Sequence, residues 1–445
     1  MGGWVRIAAA ALVLITSPSS RTFAQGASVP HGSLFGESGS GTARNKVDLT
    51  TSLAEAYDKD APSEVQGVGG PETLVSGWST MLDTTVNYHW SGTRVQAGGA
   101  TSAAIRYFSQ VDEVRNVSEA ATLSLNGRLA ERSRLQVDQT FLYSPSYFYD
   151  LFPSAPAPPG EVVVNPAPDY AVSDVASWTY GSTVTLTQGL GRRSHLSGVA
   201  NWLSTNFSED SAAQSDLKTR GVQMNYSQGV SRNAALSVAY HYRTGSFGLP
   251  VAPTANATSD TSEHRIDIGV NYVRPLSATR QFVFAARVGP SAVRREAIVP
   301  GGTGGDRIIR GSGDMALGYQ FKTWQAHATF RRGLEYVAAL GQPVFVNGAT
   351  LEWTALPTAR LDLSAGAQYS SGGSAHAEAS LTTDTYSASA RARYAATQEL
   401  ALYGEYIYYF YDLGGRALLD PTFPRRLDRN GVRFGLTLWV PVLRR

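Results

Sequence analysis

The 445-residue sequence contains no cysteine. That absence excludes disulfides, thiolate metal sites and a lipid-modified N-terminal cysteine. Charged residues are scarce, at 17%, and nearly balanced, with 38 Lys and Arg against 36 Asp and Glu. No Lys/Arg run stands out, so nothing points to a nucleic-acid partner. Beyond the first 24 residues no apolar run approaches the roughly 20 residues of a spanning helix. The seven histidines are dispersed, with no metal-spaced pair, and no Ser-centred elbow is present. The glycine-rich stretch Gly301–Asp306 lacks the following lysine of a phosphate loop. The chain therefore reads as a non-enzyme without cofactor or metal.

What is abundant is glycine, with 44 residues, and tyrosine, with 22. A mean hydropathy of −0.17 looks soluble, but it is also expected of a membrane barrel, whose polar interior offsets its lipid-facing exterior. The first residues have the form of an export signal. Arg6 supplies the positive charge, Ile7 to Thr16 an apolar core, and Thr22-Phe23-Ala24 a cleavage site with small residues at −3 and −1. The expected organisation is a signal peptide over 1–24, a flexible periplasmic leader over 25–45, and a β-barrel over 46–445.

The clearest pattern lies in Glu399 to Val442. Leu400, Leu402, Gly404, Tyr406, Tyr408 and Phe410 alternate with Ala401, Tyr403, Glu405, Ile407 and Tyr409, and Val432 to Val442 alternates in the same way. Period-two alternation is the mark of a strand with two unlike faces. Ten tilted residues suffice to cross a bilayer. The same pattern recurs from Lys46 onward and predicts an all-β fold, a transmembrane antiparallel β-barrel of about eighteen strands. Connections alternate between short and long, which places both termini on one side, read as periplasmic. Outward faces are expected to carry no charge near mid-strand. Outward aromatics near strand ends, among them Trp78, Trp178, Trp324, Trp353 and Tyr394, are expected to form interfacial girdles.

A barrel of this size is too wide for side chains to fill, so a water-filled channel is the default. Alternation then assigns pore-lining positions to Arg94, Arg106, Asp138, Arg243, Arg265, Asp267, Arg287, Asp314, Arg331, Glu352, Arg391, Arg393, Glu405 and Arg433. These line a weakly anion-preferring pore or pair into ladders that stiffen the wall. The longest connection, Ser144 to Ser177, holds seven prolines, and Tyr147, Phe148, Tyr149 and Phe152 are its candidate constriction residues.

Two segments carry a family resemblance. Val47 to Glu64, VDLTTSLAEAYDKDAPSE, resembles the opening strand of the outer-membrane barrels associated with exopolysaccharide gene clusters, the β-barrel porin 2 group. Arg433 to Val440, RFGLTLWV, is similar to the C-terminal assembly signal of outer-membrane barrels, although this chain ends Leu443-Arg444-Arg445 rather than on an aromatic residue. The resemblance implies a bacterial outer-membrane location, insertion by the barrel assembly machinery, and contact with outer-membrane lipid and lipopolysaccharide. The expected function is passive diffusion of small polar or anionic solutes. The alternatives are an outlet in exopolysaccharide secretion, with polysaccharide or periplasmic export proteins as partners, and a plugged structural or adhesive barrel. Inward Tyr403, Tyr409, Tyr411 and Trp439 motivate the secretion reading, because aromatic faces stack on sugar rings.

Overall fold

The computed structural model describes residues 44–63, 73–108, 115–144, 176–208, 216–248, 258–295, 307–337, 342–375, 382–414 and 426–445. Among the described residues eighteen strands follow one another without an intervening helix. They are β1 (Asn45–Ser63), β2 (Thr73–Ser91), β3 (Val95–Phe108), β4 (Arg115–Ala130), β5 (Ser133–Ser144), β6 (Ser177–Gly189), β7 (Ser194–Phe207), β8 (Leu217–Gly229) and β9 (Ala234–Gly248). Then come β10 (Thr258–Ser277), β11 (Arg280–Arg295), β12 (Arg307–Gln320), β13 (Trp324–Val337), β14 (Gln342–Thr358), β15 (Leu361–Ser374), β16 (Thr382–Ala395), β17 (Leu400–Gly414) and β18 (Arg426–Arg444). Each strand pairs antiparallel with its sequence neighbours, and β1 pairs with β18, so the sheet closes on itself. Through the middle of the barrel, closure leaves no free edge and satisfies the backbone within the sheet, the condition for crossing hydrocarbon.

The alternation read from the sequence sets the two faces. Ile268 is 66% exposed, Val288 64% and Phe434 60%, all on the outer surface. Apolar side chains this exposed, repeated around a closed barrel, make a lipid-facing belt. Aromatic pairs flank it. Tyr57 meets Trp78 with centroids 5.4 Å apart, Tyr369 meets Tyr386 at 5.0 Å, and Phe321 stacks on Trp324 at 5.1 Å.

The outer surface is not free of charge, contrary to expectation. Glu55 projects outward from mid-β1, between Leu53 and Tyr57, and accepts a hydrogen bond from Thr80 Oγ1 at 2.8 Å. Glu119 is likewise exposed on the outward face of β4. The Tyr57–Trp78 pair sits one step above Glu55, so its carboxylate lies against the aromatic girdle, where polar groups still reach water. Mid-belt Gln139 is tied to outward Ser182, its Nε2 donating to Oγ at 2.7 Å, which satisfies both groups on a lipid-facing surface.

One region departs from a regular wall. β12 pairs with β13 only from Gln320↔Gln325 to Gly313↔Arg332, while β12 continues to Arg307 beside β11, and β13 continues to Val337 beside β14. Beyond that point the ends of β13, β14 and β15 turn inward as a flap. By alternation Leu334 and Phe345 belong with the lipid-facing residues. Instead they pack on inward Val293, together with Ala375. Burying these apolar groups inside the mouth is what holds the flap there.

Candidate functional site

The inner surface is built from three kinds of wall. The first spans β9 to β13, where complementary charges stand directly opposite in register: Arg243 with Glu263, Arg287 with Asp314, and Asp314 with Arg331. Arg243 Nη2 lies 3.0 Å from Glu263 Oε2, whose other oxygen accepts from Ser291 Oγ at 2.6 Å. Asp267 holds Arg265 Nε at 2.8 Å and His241 Nε2 at 3.1 Å. Asp314 bridges Arg265 at 3.3 Å and Arg287 at 3.2 Å. Arg331 pairs with Glu335 four residues on.

The second charged wall runs from β17 through β18 to β1, β2 and β3. Arg429 Nη2 lies 2.8 Å from Asp58, both nearly inaccessible. Arg433 faces Glu405 at 3.8 Å, and Arg106 donates to Met81 Sδ at 3.2 Å. Neighbouring β15 and β16 add Arg393 with Asp362 at 2.6 Å. Nine strands are half of the ring, so the two charged walls face each other. Between them, β4 to β8 present a third wall of Thr122, Thr140, Thr183, Thr185, Asn201, Gln223 and Asn225, almost without charge. Its charged side chains are Asp138, held by Ser124 Oγ at 2.7 Å and Gln136 Nε2 at 2.8 Å, and Arg128 and Arg134, which share the inward parity and stand opposite each other at the turn end of β4 and β5. In each charged wall most of the named arginines stand beside a carboxylate, so the field around them is one of local dipoles rather than of one sign.

Most of the expected lumen positions therefore lie on the inner face. Glu352 stands opposite His327 in register, and Arg391 stands opposite Glu405. Arg94 is the exception. It lies in the turn between β2 and β3, where its carbonyl accepts from Arg128 N at 2.8 Å, at the rim rather than on the wall. Tyr147, Phe148, Tyr149 and Phe152 lie outside the described residues. His241 and His264, which flank one connection, point to opposite sides of the barrel. His241 meets Asp267 inside, and His264 accepts or donates at 2.8 Å with Tyr240 Oη outside.

Sequence reading missed the flap. Tyr336 near its tip rests on Phe247 and Leu217 across the mouth, with the Phe247 centroid 6.0 Å away. Its hydroxyl lies 3.4 Å from the Thr261 carbonyl, and the Arg243 guanidinium sits 4.6 Å over its ring while bonding the Leu334 carbonyl. Gly245 makes the seat: a Cβ there would fall within the Tyr336 ring. At the flap's base Arg310 and Arg332 flank the Phe345 ring at 5.2 and 5.4 Å, and Arg332 Nε donates to the Gly311 carbonyl on the unpaired side of β12 at 3.1 Å. Asp58 and Arg429 were also missed, because strand alternation runs further out on β1 and β18 than their central patterns mark. The signal was present in Arg429, Gly431 and Arg433, which keep the inward parity of β18.

The inward aromatics lie against the wall. Tyr403 crosses Gly435, where a Cβ would come within 2.7 Å of its Cε1, and reaches Ala54, Ala56 and Met81. Trp439 packs on Ala395 and Ala401 with Arg444 5.2 Å over its ring.

No family model matches this chain, and no curated relative does. Among solved structures it is similar to the Pseudomonas aeruginosa protein OccK11 (OpdR) at 14% identity, over 90% of this chain and 96% of that one, with a TM-score of 0.42. Pseudomonas aeruginosa OpdL is 11% identical over 90% and 99%, with a TM-score of 0.42. The Escherichia coli ferric-catecholate import receptor Fiu is 9% identical over 89% and 81%, with a TM-score of 0.44. At these scores the likeness says nothing of solute or mechanism.

Proposed function

We propose that this chain is a bacterial outer-membrane channel that passes small polar solutes by passive diffusion, with its mouth narrowed by the β13–β15 flap. The observation that carries the reading is the closed eighteen-strand barrel with an apolar exterior and an inner wall of ion pairs, hydroxyls and amides. Eighteen strands at about 4.8 Å spacing and a tilt near 40° give roughly 35 Å between opposite backbones, more than side chains from two walls can fill. Paired charges offer hydrogen-bonding sites to a passing solute without a strong preference for ion sign. Neutral and singly charged polar solutes of similar size should therefore pass at similar rates. The orientation follows from connection length: short turns face the periplasm and long connections face outward.

Liposome swelling with the folded protein tests this. The expected result is entry of neutral sugars and of comparably sized anions, with a steep fall above a size cut-off. Folded protein that produces no swelling with any small solute overturns the reading.

A further inference from the structure

The lipid-facing side of β8 to β12 carries residues that a channel does not use. Backbone register sets Arg220 opposite Thr244, Thr244 opposite Ser262, Ser262 opposite Arg294, and Arg294 opposite Arg307. All five lie on the outward face at the end of the long connections. Three guanidiniums and two hydroxyls thus share one line across five strands, about 19 Å long at ~4.8 Å per strand. Among the described residues none of the three arginines has a carboxylate partner. Among the described residues the outward acid nearest to this line is Asp260, one step further out, and it is engaged by Ser246 Oγ. Arg294 and Arg307 are directly opposed, an arrangement in which like charges destabilise a sheet. An anion between them removes that repulsion.

The next row in holds Val222, Tyr242, His264, Ala292 and Ile309, with His264 engaged by Tyr240 Oη, and around it the surface becomes apolar. Ile309 is 64% exposed and Ile266 55% exposed, and Pro290 and Gly311 lie between them. A Cβ at Gly311 would meet nothing within 4 Å, so the surface is open there. We propose that this face binds a phosphorylated, acylated lipid of the outer leaflet, its phosphates on Arg220, Arg294 and Arg307 and its chains on the apolar surface below. Charge complementarity selects the phosphates, since guanidiniums bind them bidentately. Continuity with the apolar belt selects a lipid over a free anion. The proposal rests on the membrane placement of the barrel and not on its being a channel.

The test uses native mass spectrometry of the folded full-length barrel in neutral detergent, titrated with a bis-phosphorylated, acylated glucosamine disaccharide. Wild type is expected to retain the lipid. The double variant Arg294→Gln/Arg307→Gln is expected to bind about tenfold more weakly, as loss of charge-assisted contacts implies. Arg192→Gln/Arg193→Gln, in a turn at the opposite end, is expected to bind as wild type does. Equal retention by the Arg294/Arg307 variant overturns the proposal, and so does displacement of the lipid by an equal concentration of inorganic phosphate. If that variant does not fold, Arg220→Gln alone reads the same line: weakened retention supports the site and unchanged retention overturns it. Conductance in neutral-lipid bilayers is read separately, so failure of the channel reading leaves this result intact.

Discussion

Tyr336→Ala removes the side chain that seats the flap. An aromatic side chain buries about 150 Å² or more, worth at most roughly 4 kcal/mol at ~25 cal/mol per Å². Tyr336 keeps a minority of its surface exposed, which brings its share to about 3 kcal/mol. The Arg243 guanidinium over its ring adds about 0.5–1 kcal/mol. Losing roughly 3.5–4 kcal/mol shifts the balance between seated and released flap by several hundredfold. In single-channel recordings Tyr336→Ala should therefore show a larger or more frequently visited high-conductance level than wild type. Gly245→Val attacks the same contact from the other side, because its side chain occupies the space of the ring. It should give the same change, and the double variant should add little to either, as expected of two halves of one contact. If both variants fold and conduct with wild-type amplitude and dwell times, the flap does not bound the solute path.

Three further outcomes follow from the walls. Asp314→Asn leaves Arg265 and Arg287 without their shared carboxylate; the reversal potential in a KCl gradient should move toward chloride, and stability should fall by about 1–2 kcal/mol, since Asp314 is partly exposed. Ile268→Arg places a charge in the lipid belt and should cost about 2–4 kcal/mol in bilayer unfolding measurements, whereas Thr183→Arg on the inner wall should be tolerated. Gly435→Val drives its side chain into the Leu53 carbonyl at 2.5 Å and into Tyr403 and Ala54; it should abolish the heat-modifiable gel migration of a folded barrel, while Gly404→Ala, with only Phe434 at 3.4 Å, should keep it.

The strand count and the two faces were legible because side-chain alternation is local and repeats eighteen times. Each central pattern, such as Leu400 to Phe410, declares its own inside and outside. What alternation does not encode is where a wall bends. Leu334, Tyr336 and Phe345 obey the lipid-facing parity, and only the loss of pairing between β12 and β13 beyond Gly313 turns them inward. That loss is a property of two strands together, so neither sequence announces it. The pairing of the lumen charges was hidden for a related reason. Arg287 and Asp314, or Arg429 and Asp58, become partners through register, which a single strand does not fix. The last strand was read short, from Val432, where polar Arg429 continues the alternation beyond the apolar belt.

A water-filled path through an ion-paired lumen conducts ions. Single-channel recording of the folded wild-type chain in a planar bilayer, with a KCl gradient, reads that path. Discrete conductance steps with a reversal potential near zero are expected, because the wall arginines pair with carboxylates. Folded, β-rich protein that inserts and yields no steps would refute the open path.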